Sequence, residues 1–156
     1  MTVKQSREFR FAAERTLGKL AKWLRILGFD TSFESETGGQ PYIEPGRIQL
    51  TRIRERKKDN LSEKRIFITS DHYIEQLKQV LQTLKIVPLE LRPFSRCIRC
   101  NHLIETANKT DVLGKVPDFI WETHDIFHIC RKCNKIYWPG SHNKRSLENI
   151  QRLFRD

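Results

Sequence analysis

Cys97 and Cys100 in "RCIRC", with Cys130 and Cys133 in "ICRKC", are the residues of this chain best spaced for chemistry. Two residues separate the thiols of each pair, so one tight turn aims both sulfurs at a single point. Two such turns complete a four-sulfur tetrahedron, the geometry of structural zinc. The chain has no other cysteine. A disulfide framework needs an oxidising compartment, and no apolar signal-like run follows the N-terminal charges. A thioredoxin-like motif uses one CxxC at a helix start, not two that answer each other. An iron–sulfur cluster also takes four cysteines, but two facing pairs are more usual for zinc. His102 and His128 flank the pairs and read as polar residues on the turns. The spacer 101–129 has room for a hairpin or loop of its own. A closed site of this kind is a staple, not a reaction centre.

Charge is the second chemical signal. Lys and Arg number 29 against 19 Asp and Glu, a formal net charge of +10. Clustered surplus of this sign points to a polyanionic partner. The clusters are Arg52, Arg54, Arg56, Lys57 and Lys58; Lys19, Lys22 and Arg25; and Arg96, Arg99, Arg131, Lys132 and Lys135 around the cysteine turns. The plain alternative for any one cluster is a solvated face, so the case rests on their sum. Trp121, Tyr137 and Trp138 have two readings: stacking on unpaired bases, or filling the core of a small metal module. No run approaches the ~20 apolar residues of a membrane span. With reduced cysteines, the cytoplasm is the expected compartment.

The elements that must position these groups can be read along the chain. "EFRFAA" (Glu8–Ala13) reads as a strand. Leu17, Leu20, Ala21, Leu24 and Leu27 then repeat at helical spacing, with Lys19, Lys22 and Arg25 on the other face and Gly28 as the stop. "FDTSF" (Phe29–Phe33) reads as a second strand, so the chain opens β-α-β, the start of a parallel sheet. Residues 34–46 form a Gly/Pro loop. "RIQLT" (Arg47–Thr51) and "RIFITS" (Arg65–Ser70) read as strands, separated by a charged segment that is an exposed helix or a basic loop. Tyr73–Ile86 reads as an amphipathic helix. "VPLEL" is a candidate last strand, and "SLENIQRLFRD" a C-terminal helix. The expected fold class is α/β: a parallel sheet with flanking helices over 7–93, then a small metal ribbon with a helix over 94–156.

Five blocks occur in order: "TLGKLAKWLRILGFDT", "RIQLTR", "EQLKQVLQTLKI", "SRCIRCN" and "CRKCNKIYWPGSH". Together they resemble the Mut-seven carboxy-terminal ribonuclease domain, from about Phe9 to His142. The resemblance implies a PIN-like nuclease fold joined to a zinc ribbon, and metal-dependent cleavage of RNA. In that chemistry, acids at the carboxyl ends of parallel strands hold Mg²⁺ or Mn²⁺, which activate water and stabilise the scissile phosphate.

The family's acidic pattern carries over unevenly. Its first Asp falls on Glu14, and the acid of "LGFD" is Asp30. The acidic helix is replaced by the loop containing Glu34, Glu36 and Glu44. The Asp of its "LTRD" block falls on Ile53, a side chain that cannot bind a hard cation. In a second register "RIFITSD" aligns with that block, and Glu14, Asp30 and Asp71 form a catalytic triad. His142 of "PGSH" follows the family motif, either as a phosphate contact or as a structural hydrogen-bonding residue. Three expectations follow. One is an RNA- or ribonucleoprotein-binding protein with a weakened nuclease site. Another is an active Mg²⁺- or Mn²⁺-dependent endoribonuclease using Glu14, Asp30 and Asp71. The third is a protein-interaction module.

Overall fold

The computed structural model describes residues 7–37, 44–53 and 64–155. Arg54, Arg56, Lys57 and Lys58, four of the expected RNA contacts, lie outside the described residues. The chain divides into two compact units between Phe94 and Ser95.

The first unit is built on four short strands: β1 (Arg10–Ala13), β2 (Asp30–Phe33), β3 (Ile48–Thr51) and β4 (Arg65–Phe67). They form one sheet in the order β2-β1-β3-β4, and every pairing is parallel. Helix α1 (Gly18–Ile26) connects β1 to β2, and α2 (Tyr73–Thr83) follows β4. The helical apolar spacing has its expected result: Leu17, Leu20, Leu24 and Leu27 are fully buried, together with Phe11, Leu50, Leu77 and Val80. Gly28 ends the α1 segment at φ +96°. A Cβ there would lie 2.3 Å from the Arg92 carbonyl oxygen. Glycine is therefore required twice, by the left-handed turn and by the chain passing against it. That passing segment is fixed by Arg92 N–H donating to Leu27 O and Phe94 N–H donating to Ile26 O, both at 2.9 Å.

Two expectations for this unit are corrected. "VPLEL" is a 3₁₀ turn at Pro88–Glu90, not a strand. Proline has no N–H to give a ladder, and Glu90 accepts from Val87 N–H at 2.9 Å and from Arg7 Nε at 2.8 Å. Arg25 does not share the exposed face of Lys19 and Lys22. It is buried, donating to Thr31 O at 3.0 Å and pairing with Glu36 at 2.7 Å.

The second unit holds a three-stranded antiparallel sheet, β5 (Glu105–Ala107), β6 (Phe127–Ile129) and β7 (Ile136–Tyr137). The spacer between the cysteine pairs is more than a hairpin. It supplies β5, α3 (Asp118–Thr123) and β6, and with them a core of Ala107, Val112, Val116, Ile120, Phe127 and Ile129. Trp121 and Trp138 pack against that core, and Trp121 Nε1 donates to Lys109 O at 2.8 Å. Of the two readings of these tryptophans, packing is the one observed. Helix α4 runs Ser141–Leu153. It begins directly after Gly140, so His142 lies in its first turn and not in a preceding loop.

Candidate functional site

The cysteine turns are built alike. Asn101 N–H donates to Cys97 O and Cys97 N–H to His102 O; Asn134 N–H donates to Cys130 O and Cys130 N–H to Lys135 O, at 2.7–3.0 Å. Each turn is closed by an asparagine at positive φ, Asn101 at 67° and Asn134 at 62°. Asparagine tolerates that conformation better than other non-glycine residues. The pattern CxxCN thus fixes the turn as well as the ligands.

The four sulfurs all lie within 4.8 Å of one another, and Cys97 Sγ is 3.8 Å from Cys133 Sγ. Four thiolates about 2.3 Å from one tetrahedral ion stand about 3.8 Å apart. The cluster is therefore the right size for a single metal ion, and it is the one such group among the described residues. Its protonation energetics agree. Burial and the neighbouring thiols push Cys100 up to about 12. Burial also raises Cys97, but the Tyr137 hydroxyl and the N–H groups of Cys100 and Arg99 outweigh it and bring the thiol down to about 7. Four thiols so close do not ionise together without a cation to balance them. Tyr137 Oη lies 3.0 Å from Cys97 Sγ and accepts from Ile98 N–H at 3.3 Å. Spacing alone gave no sign of this contact.

The second candidate region is the edge of the first unit's sheet where the parallel strands end. Glu14 follows β1 and is buried. Its carboxylate accepts from Thr51 Oγ1 at 2.9 Å, from Arg52 N–H at 3.1 Å, and from the Thr16 hydroxyl. Asp71, beyond the end of β4, is exposed and paired with the Arg52 guanidinium. Glu34 follows β2 and accepts from Arg15 N–H at 3.1 Å. Ile53 lies just past β3 and is 44% exposed.

Asp30 does not join them. It is the first residue of β2, in register with Arg10, the first residue of β1. From that level to Glu14 is four residues, about 13 Å at about 3.3 Å per residue. Asp30 instead pairs with Arg47 at 2.7 Å and Arg10 at 3.6 Å, at the opposite sheet edge. Glu44 completes this network, and the Arg47 hydrogen bond holds its carboxyl below the ordinary range. Glu14, Asp30 and Asp71 are thus not brought together, and Glu34 is the acid that shares the edge with Glu14 and Asp71.

The basic residues divide too. Lys19, Lys22, Lys132 and His142 are exposed. Arg52 is engaged with Asp71, Arg131 pairs with Glu105 at 3.0 Å, and Arg96 donates to Asn101 O at 2.8 Å. The roles of Thr16, Thr51 and Arg47 were not legible in advance, because each depends on a partner distant in sequence.

A parallel α/β sheet whose strand ends gather acids, followed by a four-cysteine module, is the architecture of a nuclease-type fold with an appended metal ribbon. The family model described as Mut7-C RNAse domain matches residues 9–150. The chain belongs to that family, which makes a nuclease-like or RNA-related function its general assignment. Comparison with curated proteins and with solved structures gave no match. Among the described residues, no helix is long and apolar enough to cross a membrane.

Proposed function

We propose that this chain is an RNA-binding protein of ribonuclease descent, with structural zinc at Cys97, Cys100, Cys130 and Cys133 and a weakened or lost nuclease site. The observation that carries the reading is the internal satisfaction of the acidic edge. Glu14 is met by two hydroxyls and an N–H group and Asp71 by a guanidinium, and in the first of the two registers Ile53 falls where the family pattern has an acid. A hard cation would have to displace the protein's own donors and would find few oxygens. The net charge of +10 and the exposed Lys19, Lys22 and Lys132 support contact with phosphates. Four cysteines gathered without a disulfide among them support a reducing, cytoplasmic setting.

A second reading keeps the enzyme, with Glu34 in place of Asp30. Its support is that Glu34, Glu14 and Asp71 follow strands that end at one sheet edge. One experiment separates the two. Labelled RNA is incubated with Mn²⁺, Mg²⁺ or EDTA, and binding and cleavage are scored together. Salt-sensitive binding without cutting is the expected result. Metal-dependent cutting abolished by Glu34→Gln or Asp71→Asn, but not by Asp30→Asn, would establish the enzyme.

A further inference from the structure

Two aromatic rings, Trp23 and His72, each lie near-parallel to Tyr73, close in sequence to Asp71 of the acidic edge. Tyr73 opens α2 and stacks with Trp23 of α1, centroids 6.0 Å apart and planes 18° apart. His72 stacks with Tyr73 at 5.3 Å and the same angle. Lys19 Nζ lies 5.7 Å from the Tyr73 ring centroid. The Trp23–Tyr73 pair is explained by packing of α1 against α2, for both rings are half-buried. His72 is not. It is exposed, precedes the helix, and covers no core.

Its backbone is nonetheless held firmly. His72 N–H donates to Ser70 Oγ at 3.1 Å, and His72 O accepts from Gln76 N–H at 3.0 Å. The neighbouring acids are compensated: Asp71 by Arg52, Glu75 by Lys78 at 3.8 Å. Of the α1 cations, Lys19 lies over the Tyr73 ring and Lys22 is exposed. An exposed ring stacked on Tyr73, with the Lys19 ammonium over the same Tyr73 ring, suits an unpaired base with its phosphate, because every base offers a π-face.

We propose that His72, backed by Tyr73 and Trp23, is a stacking platform for an unpaired RNA base, with Lys19 contacting the adjoining phosphate. This rests on the RNA-binding reading and names the form of RNA it takes, single-stranded and unstacked. A ring already stacked on Tyr73 loses less side-chain freedom on engagement than an unsupported one.

The test is fluorescence anisotropy with a labelled single strand of about eight nucleotides, the same strand made abasic, and an RNA duplex. Wild type is compared with His72→Ala and His72→Phe. On the base-bearing strand, His72→Ala should weaken binding about tenfold or more, and His72→Phe should retain it. On the abasic strand and the duplex all three proteins should bind alike. The proposal is overturned if His72→Ala loses as much on the abasic strand, or if Phe does not rescue. Wild type that binds RNA indifferently to residue 72 removes the platform alone. Wild type that binds no RNA removes the RNA reading and the platform with it.

Discussion

The acidic sheet edge and the cysteine cluster both gather potential metal ligands, yet the chain treats them oppositely. At the edge, each acid is met by a donor from its own fold: Glu14 by Thr16, Thr51 and Arg52, Glu34 by Arg15, Asp71 by Arg52. In the cluster, two similar turns bring four thiols to within 4.8 Å of one another, close enough that their thiolates repel. The lesson is that ligand type alone does not make a metal site. The four thiols converge on a volume that one cation would fill, whereas the acids of the edge already accept hydrogen bonds or ion pairs from their own fold.

The same contrast predicts what holds each unit together. The first unit has a buried apolar core; the second has a thinner one and its cluster. The largest effect should therefore come from metal removal. Chelation, or Cys97→Ser, or Cys130→Ser, should unfold residues 95–156 while the first sheet survives, because structural zinc contributes about 10–16 kcal/mol, the scale of a whole domain's stability. Amide hydrogen exchange resolves the two: β5, β6 and β7 should lose protection and β1–β4 keep it. Retained protection in both units would break the comparison.

The converse perturbation is Gly28→Ala. Its Cβ would meet the Arg92 carbonyl at 2.3 Å, at a φ of +96°. A cost of about 2–4 kcal/mol is expected, read as a lower Tm for the first unit with metal content unchanged. Loss of metal from this variant would mean that the two units do not fold independently.

A sharper test adds an acid. Ile53→Asp adds a carboxylate beyond β3, near Glu14 and Asp71. If the edge lacks only that ligand, Mn²⁺ should stabilise the variant and not wild type, by about 1.4 kcal/mol at ten times Kd. Stabilisation of wild type by the same Mn²⁺ would show that the edge still holds its cation.

Legibility in the sequence followed the same division. The cysteine turns were readable because their ligands, spacing and closing asparagines are local. The β-α-β opening was readable because Leu17, Leu20, Leu24 and Leu27 repeat at helical spacing. The acidic edge was legible only in part: reading Phe29–Phe33 as a parallel strand already put Asp30 at its start, while the family pattern grouped it with Glu14, which follows the first strand. β2 does begin at Asp30, in register with Arg10 at the far end. Arg25 read as a surface cation from its spacing with Lys19 and Lys22. Its burial depends on Glu36, eleven residues away. "VPLEL" failed for a local reason, since a proline followed two residues later by glutamate closes a turn more readily than it joins a ladder.

The smallest expected effect probes a side-chain contact between the cluster and its own chain. Tyr137 Oη lies 3.0 Å from Cys97 Sγ. When a metal is bound, Cys97 is a thiolate and the phenol can only donate to it. Such outer contacts orient a ligand and draw charge from it. Tyr137→Phe keeps the ring and removes that hydrogen bond, and it also leaves Ile98 N–H without the acceptor it has at 3.3 Å. The stability cost should be about 1 kcal/mol, and metal affinity should fall about tenfold. Competition with a chromogenic chelator measures the affinity, and the Tm of the second unit measures the stability. A fall in Tm without a change in affinity would assign Tyr137 to packing alone. A fall in both would make it part of the metal centre.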